Sequence, residues 1–150
     1  MLYTFGYEGL DIEQFIARLH DTGVQTVYDV RELPLSRKKG FSKRSLAETL
    51  DNAGIAYRHL PALGCPKAIR DAYKADADWE KYTSAFSGHL AAQGMFIREL
   101  ATSACETTAC LVCFEADFNF CHRTFVARAA HAQGAPVVAH ITAESVIADW

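Results

Sequence analysis

Five short apolar runs, separated by polar or glycine-bearing turns and by helical patterns, constrain this chain more than any single residue does. They are Leu2 to Tyr7, Val24 to Val30, Ile55 to Leu60, Ala109 to Glu115 and Ala135 to Thr142. Runs of this length suit buried strands rather than helices. Between the first two, Ile12, Phe15, Ile16 and Leu19 recur at i, i+3, i+4 and i+7, which predicts a helix from about Asp11 to His20. Asp11 is its N-cap and Gly23 its stop. A second helix runs through Leu46 and Leu50, capped by Ser42 and ended at Asn52-Ala53-Gly54. A third spans 124–133 and stops at Gly134, and Ser145 to Trp150 reads as a short terminal helix. Alternation of this kind predicts an α/β fold with a mainly parallel sheet of about five strands and helices on both faces.

Residues 66–104 interrupt the alternation. Pro66 opens a helical pattern, and Tyr73, Trp79, Tyr82, Phe86, Leu90, Met95, Phe96 and Leu100 continue it in two or three pieces. Asp76-Ala77-Asp78 marks a junction, with Asp78 as a cap. This helical insert is expected to cover one end or edge of the sheet. Its aromatics read as core rather than as a base-stacking platform. With 150 residues and neither repeat nor low-complexity segment, the chain reads as a single α/β domain over 1–150.

Composition narrows the class. No apolar run approaches the roughly 18 residues of a membrane span, and the start of the chain lacks the pattern of a secretory signal. Five cysteines, an odd number without framework spacing, argue against a disulfide-built domain. A cytoplasmic protein with no membrane partner is the expectation. Cys110 and Cys113 form a C-x-x-C, but three positions along a strand they face opposite sides and cannot grip one ion. No metal is therefore assigned from the sequence, and the cofactor stays open. The net charge of −3 is unevenly spread: residues 1–75 carry 11 basic and 9 acidic side chains, residues 76–150 carry 4 and 9. The acidic second half disfavours a dedicated nucleic-acid coat, while Arg37, Lys38, Lys39, Lys43 and Arg44 leave a local anion-attracting patch.

A parallel sheet sends every strand-to-helix loop to the strands' C-terminal ends, where ligands bind at a switch in strand order. Four polar segments fall on such loops: Gly6-Tyr7-Glu8-Gly9, Asp29-Val30-Arg31, the 34–41 loop, and Glu115 through Arg123. Within the last, Cys121-His122-Arg123 stands at a helix start, where free N–H groups favour negative charge. A thiol there is either a buried small hydrophobe or, beside Arg123, a thiolate with His122 as base. Asp29 and Arg31 share side-chain parity, so they form either a loop-locking salt bridge or part of a site. Glu115 is a candidate acid, base or hydrogen-bond anchor. Ser36 and Arg37, in a loop shaped by Pro34 and Gly40, offer donors to an anion.

Taken together, these residues strongly resemble the domain-of-unknown-function family 488 across nearly the whole chain. Thr4-Phe5-Gly6-Tyr7-Glu8-Gly9 looks like its opening, and Asp29-Val30-Arg31 with Pro34, Ser36-Arg37 and Gly40-Phe41-Ser42 like its second motif. Gly54-Ile55 with Tyr57, His59-Leu60-Pro61 and Leu63-Gly64 resembles the third, and Cys113, Glu115 and Cys121-His122-Arg123 the fourth. The resemblance implies a three-layer α/β/α sandwich of Rossmann-like character in a prokaryotic protein, and no established activity. Cys65 departs from it, standing where members often carry glycine, serine or threonine. A looser similarity is to rhodanese-like domains, through Asp29-Val30-Arg31-Glu32, and to low-molecular-weight phosphatases, but the phosphatase cysteine-to-arginine spacing fails and neither catalytic mechanism is carried over. The sixth position after Cys113 is Asn119, and Arg123 is only two beyond Cys121.

The leading expectation is thus an anion-binding, enzyme-like pocket at the sheet's C-terminal edge. Arg31, Ser36, Arg37 and Arg123 would bind a phosphate-bearing small molecule; Cys121 or His122, with Glu115 and Asp29, would perform acid–base or thiol chemistry. Its rivals are a nucleic-acid-binding or regulatory module built on residues 37–44, and a structural domain without catalysis. Oligomeric state is not legible in the sequence.

Overall fold

The computed structural model describes residues 1–149. Strands β1 (Leu2–Gly6), β2 (Thr26–Asp29), β3 (Ala56–His59), β4 (Ala109–Cys113) and β5 (Val138–Ile141) run parallel in the order β3-β2-β4-β1-β5. A sixth, β6 (Val146–Ala148), joins the edge antiparallel to β5. This strand replaces the terminal helix expected over Ser145 to Trp150, of which Trp150 lies outside the described residues. A tight turn in which Thr142 Oγ1 accepts from Ser145 N reverses the chain, and β-branched Val146 and Ile147 suit the extended edge.

Two helices cover one face of the sheet. In α1 (Ile12–Asp21) Asp11 and Gln14 form a reciprocal capping box. Phe15 and Leu19 of α1, with Leu46 and Leu50 of α2 (Lys43–Asn52), pack on Phe5, Val27, Cys110 and Val112. Ser42 occupies the N-cap of α2 without capping it. Its hydroxyl accepts from Ser36 N and donates to Ser36 O, which folds the 34–41 loop onto the helix start.

The insert resolves into α3 (Lys67–Asp76), α4 (Trp79–Ala91) and α5 (Gly94–Glu106). Together with α6 (His122–Ala132), α4 and α5 build the second layer: Phe86, Leu100 and Val126 bury against Leu2, Tyr28, Leu111 and Cys113. The insert therefore forms much of a layer rather than covering an end. The reason is topological, because a chain leaving edge strand β3 must cross a face to enter the sheet between β2 and β1. Ala77, in the left-handed conformation, and Asp78, accepting from Lys81 N, make the junction between α3 and α4. The result is a three-layer α/β/α sandwich of Rossmann-like character. No helix among the described residues is long and apolar enough to cross a membrane.

Strands β1 and β4 are neighbours whose chains depart to opposite faces, β1 into α1 and β4 into α6. Their C-terminal loops diverge, and this strand-order switch opens a crevice.

Candidate functional site

A cleft of about 780 Å³ opens at this switch. Its floor includes Cys113, Glu115 and His122; Ser36 and Arg37 contribute from the 34–41 loop, and Tyr73, Trp79 and Phe120 from the helical side. Trp79 stacks on Tyr82 at 4.6 Å and meets Tyr73 and Phe120 edge-on. The insert's aromatics thus divide: Phe86 is wholly buried in the core, whereas Tyr73, Trp79 and the edge of the buried Tyr82 line the cleft.

At the end of β2, the fully buried Asp29 holds Arg31 with both oxygens. Oδ1 accepts from Arg31 Nε at 2.8 Å and Oδ2 from Nη2 at 2.7 Å. Tyr57 adds a hydroxyl to Oδ2 at 2.6 Å, and Arg31 Nη1 donates to Phe41 O and Tyr7 Oη. Burial and the bond to Asp29 push the Tyr57 phenol up from its ordinary value. Burial opposes the charge on Arg31, but Asp29 more than restores it. This cluster ties β2, β3, β1 and the 34–41 loop together, as the parity argument allowed.

At the end of β4, four donors gather. Cys113 Sγ lies 2.6 Å from Cys121 Sγ, and Glu115 Oε2 lies 3.3 Å from each sulfur. His122 Nδ1 faces Cys121 Sγ at 3.9 Å, while its Nε2 donates to Val30 O at 2.6 Å. Glu115 is exposed as a residue, yet its carboxylate reaches in to the buried sulfurs. Burial pushes Glu115 up, but His122, its own backbone N–H and the two thiols outweigh that and leave it below its ordinary value. Cys113 is pushed well above the normal thiol range, chiefly by burial, with Arg123 pulling the other way.

Behind this cluster, Arg123 is wholly buried. It donates to Cys113 Sγ, to the carbonyls of Glu115 and Ala116, and from Nε to Thr4 Oγ1 at 3.1 Å. Because a guanidinium only donates, the Thr4 hydroxyl proton goes on to His140 Nδ1 at 2.6 Å. His140 Nε2 then donates to Asp149 Oδ1 at 2.9 Å.

A family model described as domain of unknown function DUF488 matches residues 11–130. The chain belongs to this family. Comparison with curated proteins returned no match, and neither did comparison with solved structures.

In this DUF488 member, three of the residues singled out in the sequence, Glu115, Cys121 and His122, come together. Asp29 and Arg31 instead form their own latch, and Asp29 makes no hydrogen bond to Cys121 or His122. Arg123 turns inward, away from the cleft lining, because its partners are carbonyls and Thr4 beneath the loop. Ser36 Oγ accepts from Lys38 N and shapes the turn. Cys113, quoted in the fourth motif, is the member of the donor cluster that sequence reasoning did not name as a site residue. Its parity with Glu115 was visible, but its meeting with Cys121 depends on how residues 114–120 turn back. Lys74, from the insert, also lines the cleft and carries no motif that would have marked it.

Proposed function

We propose that the cleft binds a small phosphate-bearing molecule with a planar group, and that Cys113, Glu115, Cys121 and His122 form its reactive end. One observation carries this reading: Arg37 and Lys74 line the cleft and form no ion pair or side-chain hydrogen bond among the described residues. The other cations there are committed, Arg31 to Asp29, and Arg70 to Glu32 at 2.9 Å and Cys65 O at 2.6 Å. Uncommitted positive charge in a concave site attracts an anion, and the walls of Trp79, Tyr73 and Phe120 suit a flat ring. The anion ligands are thus Arg37, in the loop that Ser36 shapes, and Lys74 on α3; Arg31 and Arg123 have positioning roles.

Calorimetric titration with inorganic phosphate and with a nucleoside monophosphate tests this reading. The nucleotide should bind more tightly than phosphate, and Arg37→Ala should weaken it about ten-fold, the usual weight of one charge-assisted hydrogen bond. Absence of binding by both probes at low salt would overturn it. The nucleic-acid alternative has less support, since Lys38 Nζ donates to Tyr7 O at 3.3 Å and Arg44 pairs with Glu48 at 3.3 Å.

A further inference from the structure

We infer that Cys113, Glu115, Cys121 and His122 form a binding site for a divalent, thiophilic metal ion of the zinc type. Their ligating atoms all lie within 4.8 Å of one another. A tetrahedral zinc ion with bonds of about 2.0–2.3 Å holds its donors roughly 3.3–3.8 Å apart. Two thiolates, a carboxylate and an imidazole are a zinc donor set, whereas calcium and magnesium take oxygen. The donors also sit on fixed backbone: Cys113 ends β4, Cys121 is the N-cap of α6, and His122 is the first residue of that helix. Only Glu115 comes from the loop between them. The two sulfurs, at 2.6 Å, need to part by about 1 Å around an ion.

Two further features point to a cation. His122 donates Nε2–H to the Val30 carbonyl, which fixes the tautomer and leaves the Nδ1 lone pair facing Cys121. Metal-bound histidines are held in this way by a carbonyl or carboxylate on the far nitrogen. The second feature is Arg123. This buried guanidinium forms no ion pair with a carboxylate among the described residues, and it donates to Cys113 Sγ at 3.3 Å. A dication bound by two thiolates and one carboxylate leaves one negative charge. Arg123 balances it, with an N–H to sulfur bond at the site itself. On binding, each thiol gives its proton to solvent, so two protons leave for each ion bound and affinity falls with acid.

The inference does not rest on the phosphate reading, because Arg37 and Lys74 lie outside the donor set. Its test is titration of the reduced, metal-free full chain with cobalt(II), followed by zinc. One equivalent of cobalt should give the intense absorption of a tetrahedral thiolate site, and zinc should bleach it. Cys121→Ser should abolish the absorption, and Cys105→Ser, at an exposed thiol, should leave it intact. Should the Cys121 variant fail to fold, Glu115→Gln at an exposed position still tests the site. It should weaken cobalt binding by about ten-fold or more. Arg37→Ala and Lys74→Ala should not alter the titration, which separates failure of this site from failure of the phosphate cleft. Absence of the tetrahedral absorption in the reduced protein would overturn the inference. So would its persistence in Cys121→Ser, or ready pairing of Cys113 and Cys121 as a disulfide in a protein that never takes up cobalt.

Discussion

Asp29 and Arg31, two positions apart at the end of β2, form a two-pronged ion pair in which Asp29 is fully buried and Arg31 is 7% exposed. The pair is a fixed part of the cleft wall: Tyr57 and Tyr7 occupy its outer positions, and Arg31 O accepts from His59 Nε2 at 2.7 Å.

Removing one partner should therefore unfold more than a loop. Asp29→Ala leaves the Arg31 charge buried and uncompensated, which costs about 3–5 kcal/mol. Chemical denaturation should show that loss, whereas Tyr57→Phe, which removes one hydrogen bond to Asp29, should lose only about 1–2 kcal/mol. Equal, small effects from both would mean that the ion pair is dispensable.

Gly6 ends β1 directly beneath the loop after β4. A Cβ there would overlap the Glu115 carbonyl and press on Arg123 Nη1. Gly6→Ala must displace backbone rather than a flexible side chain, so it should destabilise by about 1–3 kcal/mol or more. It should also disturb the cobalt titration, since Glu115 moves with its carbonyl. Gly88→Ala, in open space on α4, provides the contrast and should be near neutral or stabilising.

His140 gives the fold a defined pH dependence. Burial lowers its value below the ordinary 6.5, against the pull of Asp149 upward, and Arg123 and Arg128 lower it further. Thr4 donates to its Nδ1 and Phe118 stacks on its ring at 3.9 Å, both suited to the neutral form. The unfolded chain binds the proton first on acidification. Stability should thus be constant above about pH 7, then fall as pH drops below 6.5 toward the lower folded-state value. Melting temperatures from pH 8 to 5 check this, and His140→Gln should flatten the slope near pH 6.

Thiol reactivity should follow burial. Cys105 is exposed, while Cys65, Cys110, Cys113 and Cys121 are buried. A disulfide reagent should modify Cys105 in a fast phase that Cys105→Ser removes. Cys110 should react only on global unfolding, because burial pushes its thiol up and it sits in the core beneath α1 and α2. A fast reaction at Cys110 would contradict the assigned core.

Periodicity, caps and turn residues alone determined the α/β class, the five parallel strands, the Asp11 cap and the Asp76-Ala77-Asp78 junction. Each is set by neighbours a few residues apart, and such patterns are written along the chain. The same reasoning put Cys110 and Cys113 on opposite faces, and they line different cores. It also placed the polar motifs on loops at one sheet edge. Tertiary structure decided the rest. Entry of β4 between β2 and β1 is a non-local pairing, and it made the insert a layer and set the switch point. The fold-back of residues 114–120 brought Cys113 to Cys121, and an interior lined with carbonyls drew Arg123 away from the cleft. Val146 to Ala148 became a strand because the edge of β5 was there to pair with it. Local sequence fixes what each segment prefers, while partners distant in the chain decide which side chains meet.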